Sequence, residues 1–147
     1  VDQQGAPPYL PTIEHIEDEK GFLEAVLFHL APGGLLVVNV PALQCLFSNY
    51  DRAAGHVRRY SLSQLTNLGK TMGLEVKAGS YWGLPLLPLL AIRKFLLSFQ
   101  SGEKEVINQG FKPPGMLANK LLFSLCALEP IPQRLLGTSA MCVFKKT

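Results

Sequence analysis

The fold is decided by the stretch Leu30–Val40, which reads L-A-P-G-G-L-L-V-V-N-V. Pro32 cannot continue a helix, and the Gly33–Gly34 pair that follows it is typical of a turn. The run Leu35–Val40 is apolar apart from Asn39 and is bounded by glycine and proline. Such a run is typical of a strand that is buried on both faces and parallel to its neighbours. We therefore predict a helix–turn–strand unit of an α/β sheet.

Helical patterns lie on both sides of this strand. Glu17–Leu30 places apolar residues at helical spacing after an acidic first turn. Ser61 is predicted to be the N-cap of a second helix, with Gln64 in the capping-box position and Gly73 at its end. A second strand, Leu74–Trp82, follows directly. Residues 13–83 are thus predicted to form an α/β core with one crossover.

The remaining segments complete one partial domain. Residues 1–12 hold three prolines within five positions and are expected to be an irregular lead-in. The connection Pro41–Tyr60 shows no periodicity, and a loop of this length in a compact domain is usually functional. Residues 84–136 are predicted to be an apolar helical insert, and residues 137–147 a closing strand centred on Ser139–Phe144.

The insert holds two apolar runs, Leu87–Phe99 and Met116–Leu128. Neither reaches the roughly 18–20 continuous apolar residues that a membrane span requires. Two interpretations stay open for the insert. It is either a cap that admits a lipid-like acceptor or touches a membrane surface, or a helical pair packed on the sheet or on a second subunit.

Composition narrows the class of protein. The 147 residues are 48% hydrophobic and 17% charged, which is too apolar for an intrinsically disordered chain. The three cysteines form no C-x-x-C pair and are expected to be buried, reduced thiols. No signal-peptide pattern opens the sequence, so we expect a cytoplasmic protein, with peripheral membrane attachment as the alternative.

Charge is distributed unevenly along the chain. Residues 1–83 hold six Lys/Arg and eight Asp/Glu, whereas residues 84–147 hold eight and three. A basic, apolar second half favours contact with a membrane surface, a lipid-like substrate or an acidic partner. Nucleic acid is not expected as a partner, because the basic residues are not interleaved with aromatic ones and no recognition motif is present.

Three stretches together resemble the C-terminal half of class I S-adenosylmethionine-dependent methyltransferases. They are Ile13–Asp18 (I-E-H-I-E-D), Leu30–Val38 (L-A-P-G-G-L-L-V-V) and Gly55–Ser61 (G-H-V-R-R-Y-S). The resemblance implies the second half of a Rossmann-like sheet with a helical insert before its last strand. It also implies methyl transfer from S-adenosylmethionine to a small-molecule acceptor that is lipid-like or anionic.

The donor-binding half of such an enzyme has no counterpart in this sequence. None of the thirteen glycines is separated from another by a single residue, so the G-x-G element of the donor loop is missing. We therefore expect this chain alone to bind S-adenosylmethionine weakly or not at all. Three explanations stay open: a truncated gene product, a sequence that is only part of the chain, and a site completed by another polypeptide. A homo-oligomer or a complementing chain is the expected assembly. A catalytically silent methyltransferase-like binding or assembly module is the rival function, and a peripheral membrane-associated domain is another.

The first group of candidate site residues lies before the first helix. The resemblance places Glu14, His15 and Ile16 beside the methyl donor and its acceptor. His15 is the candidate catalytic base, because an imidazole ordinarily titrates near neutral pH. The alternative is that Glu14 begins an acidic helix cap and His15 packs locally.

The second group lies on the long connection after the first strand. Asp51, His56, Arg58, Arg59 and Tyr60 form the densest polar cluster of the sequence and are the candidate acceptor-binding residues. The planar forks of the two arginines suit a carboxylate or a phosphate. The alternative is an ion pair from Asp51 to one arginine that only fixes the loop. No metal site is expected, because the spacing of histidines and cysteines fits no known ligand pattern.

Overall fold

The fold is built on a three-stranded sheet whose central strand is the last one in chain order. The computed structural model describes residues 13–97, 115–129 and 133–147. The strands are β1 (Leu35–Pro41), β2 (Leu74–Trp82) and β3 (Ser139–Lys146), arranged in the order β1–β3–β2. Because β3 is antiparallel to both neighbours, β1 and β2 run parallel to each other. The chain is thus a mixed α/β structure.

Five helices are present in the described ranges. They are α1 (Glu19–His29), α2 (Asn49–Ala53), α3 (Leu62–Thr71), α4 (Leu87–Leu97) and α5 (Met116–Ala127). Short 3₁₀ segments cover Ile13–His15, Gln44–Leu46 and Leu84–Leu86. None of these helices is long and apolar enough to cross a membrane.

Most of the local predictions are confirmed. The second strand has the predicted bounds, and α3 begins with the predicted capping box between Ser61 and Gln64. Helix α1 begins later than predicted, because Asp18 is its N-cap and accepts a hydrogen bond from the Gly21 amide at 3.0 Å. The predicted lead-in at residues 1–12 and the end of the predicted helix at Ser98 and Phe99 lie outside the described residues.

The closing strand lies within the predicted segment 137–147. It spans Ser139–Lys146, and at its end Lys145 pairs with Leu35 and Lys146 pairs with Leu74. The Lys146 ammonium also donates to the carbonyls of Leu27 and Leu30, both at 2.7 Å. The charge of this lysine therefore caps the carboxyl end of α1.

The prediction for β1 is wrong on two counts. It pairs antiparallel with β3, with Val37 opposite Val143, instead of parallel. It is also covered on one face only, since Leu35 and Val37 are 60% and 59% exposed while Val40 is buried. Both faces of the strand carry apolar side chains, so the sequence shows no alternation that would have indicated an open face.

The core lies between the covered face of the sheet and the helices α1 and α3. Leu23 of α1, Leu65 of α3 and Phe144 of β3 are all buried there. Gly69 allows the close approach of α3 to β3, because a Cβ at this position would lie 2.2 Å from the Phe144 ring. The sheet and α3 hold the two ends of the connection Pro41–Tyr60.

The connection Pro41–Tyr60 is more ordered than predicted, because it contains one 3₁₀ turn and α2. Helix α4 packs against both of these elements, and the Arg93 guanidinium lies 3.8 Å from the centre of the Tyr50 ring. This part of the insert therefore covers the loop after β1. The cysteine prediction holds only for Cys142, since Cys45 and Cys126 are exposed; all three are free thiols.

Candidate functional site

The candidate site lies where β1 ends. The Tyr60 amide donates to the Pro41 carbonyl at 2.9 Å, and the Leu43 amide donates to the Tyr60 carbonyl at 3.1 Å. These two bonds bring the end of the connection back to its start, so residues 43–60 form a closed loop at the carboxyl end of the strand. Ligands of open α/β sheets bind at this edge.

Asp51 organises the loop. Its Oδ2 atom accepts hydrogen bonds from the amide and the hydroxyl of Ser48, at 2.9 and 3.0 Å. Its Oδ1 atom accepts from His56 Nδ1 at 3.0 Å and pairs with Arg59 Nη2 at 2.8 Å. Burial alone would raise the pKa of Asp51, but the His56 hydrogen bond and the Arg59 charge outweigh it, so that pKa lies below its ordinary value. Asp51 is a buried, ionised hub.

The two arginines form hydrogen bonds with other groups of the chain. Arg59 is buried between Asp51 and the Ala42 carbonyl, to which its Nη1 donates at 3.2 Å. Arg58 Nη1 donates to Glu19 at 2.9 Å, and Nη2 donates to the Glu17 carbonyl at 2.8 Å. The ion pair from Asp51 to one arginine, which the sequence left open, is therefore present. Both guanidinium forks are occupied by groups of the chain itself.

Tyr60 is also held internally. Its hydroxyl donates to Glu19 Oε2 at 2.7 Å, and the residue is only 3% exposed. Burial raises the pKa of Tyr60 well above its ordinary value, and the hydrogen bond and the charge of Glu19 raise it further. The phenol therefore stays neutral and fastens the loop to α1.

His56 meets the Glu14–His15 pair, so the structure brings together residues that are some forty positions apart. The two imidazole rings make an edge-to-face contact with centroids 4.7 Å apart. His15 Nδ1 lies 3.0 Å from the Gly55 carbonyl, and the Val57 amide donates to the Glu14 carbonyl at 2.7 Å. The loop therefore contacts both Glu14 and His15.

Glu14 is the most unusual residue of this cluster. It is 6% exposed, and its Oε2 atom is buried without a hydrogen-bond partner among the residues described. Its Oε1 atom lies 4.0 Å from His15 Nε2. Ile16, predicted beside it, is half-buried and its amide closes the 3₁₀ turn on the Ile13 carbonyl at 3.2 Å.

Both histidines use the same ring nitrogen, Nδ1, for their hydrogen bonds. Nδ1 of His15 faces a carbonyl and Nδ1 of His56 faces a carboxylate, so each Nδ1 carries a proton. In the neutral rings the lone pair is then on Nε2. The arrangement offers two imidazole bases and one buried carboxylate within a few ångströms.

The comparisons identify no relative. No protein-family model matches the chain, and no curated protein or solved structure is significantly similar to it. What the site does must therefore be argued from its geometry.

The structure joins the two groups of candidate residues through His56. This residue was predicted together with Asp51 and the arginines, and it contacts both Asp51 and His15. The sequence pattern did not indicate Glu14 as a metal ligand, because the expectation rested on the spacing of histidines and cysteines. A scan for every carboxylate and imidazole expected at the carboxyl end of β1 would have found the cluster.

Proposed function

We propose that this chain forms the acceptor side of an S-adenosylmethionine-dependent methyltransferase with a Rossmann-like sheet. The observation that carries the proposal is the convergence of Glu14, His15 and His56 at the carboxyl end of β1. The parallel strands β1 and β2, joined through α3, give the crossover expected of such a sheet. S-adenosylmethionine is the proposed donor, on the resemblance of the three sequence stretches.

The cluster suits an acceptor that must lose a proton. Bound S-adenosylmethionine would supply an electrophilic methyl group: an oxygen or nitrogen of the acceptor would take the methyl carbon, and the electron pair of the broken carbon–sulfur bond would stay on sulfur. The acceptor proton goes to an imidazole Nε2, for which His15 is the proposed base. Much of the acceleration comes from in-line positioning of the acceptor, because a sulfonium is already a good leaving group. His56, fixed by Asp51, positions the acceptor beside His15.

The proposed acceptor class rests on the side chains of the site loop and of α4, which packs against it. Arg58 and Arg59 are paired with carboxylates, so they do not favour an anionic acceptor. Helix α4 covers the loop and carries exposed apolar side chains, including Ile92 at 56% and Phe95 at 64% exposure. A lipid-like small molecule is therefore the acceptor class that we propose.

The test compares two proteins. One is the 147-residue chain, and the other is the longer protein that is encoded when the reading frame is extended upstream of Val1. Calorimetric titration with S-adenosylmethionine should give no saturable binding to the 147-residue chain and saturable binding to the extended one. The extended protein should also transfer a labelled methyl group to lipid extracts. An upstream frame without a G-x-G-x-G stretch, or an extended protein that binds no donor, would overturn the proposal.

Matched variants then locate the acceptor chemistry. In the extended protein, His15→Gln should lower kcat at least tenfold and leave donor affinity unchanged, since it removes a general base. His29→Gln is the control, because His29 lies at the end of α1 and contacts Phe28. Donor binding without transfer to any acceptor would favour the silent module instead.

A second candidate function is attachment to a membrane surface. Helices α4 and α5 expose large apolar side chains, among them Phe123 at 78% and Met116 at 90%. Such side chains gain free energy by entering the headgroup region of a bilayer. Co-sedimentation with anionic phosphatidylglycerol vesicles should retain the chain, and the double variant Phe95→Asp/Phe123→Asp should release it. Val57→Asp, also at an exposed position, is the control. Equal recovery of all three proteins would remove this candidate.

A further inference from the structure

We propose that Glu14, His15 and His56 bind a divalent transition-metal ion of the zinc class. One ligand atom from each residue lies within 4.8 Å of the others. Two imidazoles and one carboxylate form a ligand set that catalytic zinc sites and non-haem iron sites both use. Such a set leaves at least one coordination position for water or for an acceptor.

The outer partners of the two histidines are already in place. Metal-binding histidines nearly always donate the other ring N–H to a carboxylate or a backbone carbonyl. Here His56 Nδ1 lies 3.0 Å from the Asp51 carboxylate, and His15 Nδ1 lies 3.0 Å from the Gly55 carbonyl. Both contacts direct the lone pair of the neutral ring to Nε2.

Glu14 supplies the independent observation. Its side chain is more than nine-tenths buried, and Oε2 has no hydrogen-bond partner in the described part of the chain. A buried carboxylate oxygen without a partner is costly, whether or not the group is ionised. Two described cations of the loop, Arg58 and Arg59, are paired with Glu19 and Asp51. A metal ion would provide the missing partner.

The distances fit an ion after a small adjustment of side chains. Zinc lies about 2.0–2.2 Å from nitrogen and oxygen ligands, so the ligand atoms must close by about 1 Å. His15 can supply this movement, because its side chain is 32% exposed. Imidazole ligands favour zinc, cobalt, nickel or iron over calcium and magnesium, which prefer oxygen ligands throughout.

The inference stands independently of methyl transfer. Metal ligation and general-base catalysis are alternative uses of the same Nε2 lone pair of His15. With an ion bound, an acceptor hydroxyl at its open position would lose its proton more easily, because the metal stabilises the anion. Metal binding is measured on the chain directly, so its failure would leave the donor-binding test untouched.

The experiment is a titration with Co²⁺, whose visible absorption reports its ligands, followed by displacement with Zn²⁺. It uses a Cys45→Ser/Cys126→Ser background, because these two thiols are exposed and would bind the metal themselves. Saturation at one Co²⁺ per chain is expected, with loss of the spectrum when Zn²⁺ is added. Zn²⁺ should also raise the melting temperature of the protein.

Variants decide whether the named residues hold the ion. Glu14→Gln, His15→Gln and His56→Gln should each weaken Co²⁺ binding by at least about tenfold. Even the loss of an outer hydrogen-bond partner of a metal ligand weakens metal binding by about that factor. His29→Gln is the matched control and should bind as the background does. Circular dichroism verifies folding; should the buried Glu14 variant unfold, the half-exposed His15 variant still decides the question. Absence of a saturable spectrum, or equal affinity in His15→Gln and His29→Gln, would overturn the proposal.

Discussion

Asp51 is the single residue on which the site loop depends. It is fully buried, and Arg59, which it pairs with, is 6% exposed. Asp51→Asn keeps the size of the side chain but leaves the guanidinium buried without a counter-charge, which ordinarily costs about 3–5 kcal/mol. We expect a loss of that order in the free energy of unfolding, measured by urea denaturation.

The control for Asp51 is the exposed pair of Glu75 and Lys77, whose charged atoms are 2.6 Å apart. Glu75→Gln should leave the unfolding midpoint unchanged, because exposed ion pairs are screened by solvent. Equal midpoints for both variants would show that Asp51 is not the hub of the loop.

Tyr60 is expected to make the folded protein less stable at alkaline pH. Its pKa is raised in the folded state by burial and by Glu19, so folding favours the protonated phenol. The stabilisation is therefore complete below the unfolded pKa of about 10 and is lost as pH rises above it. The difference in melting temperature between the wild type and Tyr60→Phe should be constant up to about pH 10 and change in favour of Tyr60→Phe between about pH 10 and pH 12. A constant difference across that range would contradict this prediction.

At the scale of single residues, the sequence indicated which reactive side chains matter but not which of them contact one another. It singled out Glu14, His15 and His56, yet it could not show that His56 contacts His15 and Asp51 at the same time. The position of His56 is set by Asp51, which accepts hydrogen bonds from His56 and Arg59 on one oxygen. Such a three-residue contact depends on the closed shape of the loop, which carries no periodic pattern in the sequence.

At the scale of elements, the contact between α3 and β3 leaves no space for a side chain at Gly69. A methyl group on Gly69 would meet the buried Phe144 ring at 2.2 Å. Gly69→Ala should therefore lower the free energy of unfolding by about 1–3 kcal/mol through overpacking, although alanine favours a helix by about 1 kcal/mol. A thermal melt measures it; a shift of about 2–4 °C accompanies each kcal/mol at this chain length.

The same helix offers a control for Gly69. Asn67 is exposed on α3, and Asn67→Ala gains helix propensity without any new contact. A melting temperature of Gly69→Ala at or above that of Asn67→Ala would show that the helix can shift on the sheet at no cost.

Element bounds were predictable where local chemistry sets them. The capping box fixes the start of α3, and Gly73, with a φ of 73°, ends it just before β2. Pairing direction was not predictable, because β1 pairs with a strand about a hundred residues later in the chain. The apolar run of β1 is compatible with either direction, and only the position of β3 between β1 and β2 decides.

At the scale of the whole molecule, one face of the sheet is apolar and open. Leu35, Val37, Trp82 and Met141 are each at least 37% exposed, and β1 pairs along one edge only within the described ranges. Open edges and apolar faces recruit other chains. We expect a dimer or larger assembly by light scattering, and we expect Val37→Lys to shift it towards the monomer.

The control for assembly is Val57→Lys, since Val57 is 40% exposed on the site loop and not on the sheet. It should leave the molar mass unchanged. A wild-type chain that is monomeric and melts in one cooperative transition would show that the open face attracts no second copy.

The central position of β3 also governs how the sheet forms during synthesis. The strands β1 and β2 do not pair with each other. Both pair with β3, which is the last of the three to be synthesised. Synthesis proceeds at roughly 5–20 residues per second, so some 5–20 seconds pass between the synthesis of β1 and that of its partner β3. During that interval its backbone groups and apolar side chains have no strand to pair with, so nascent chains should engage chaperones until residues 139–146 are complete.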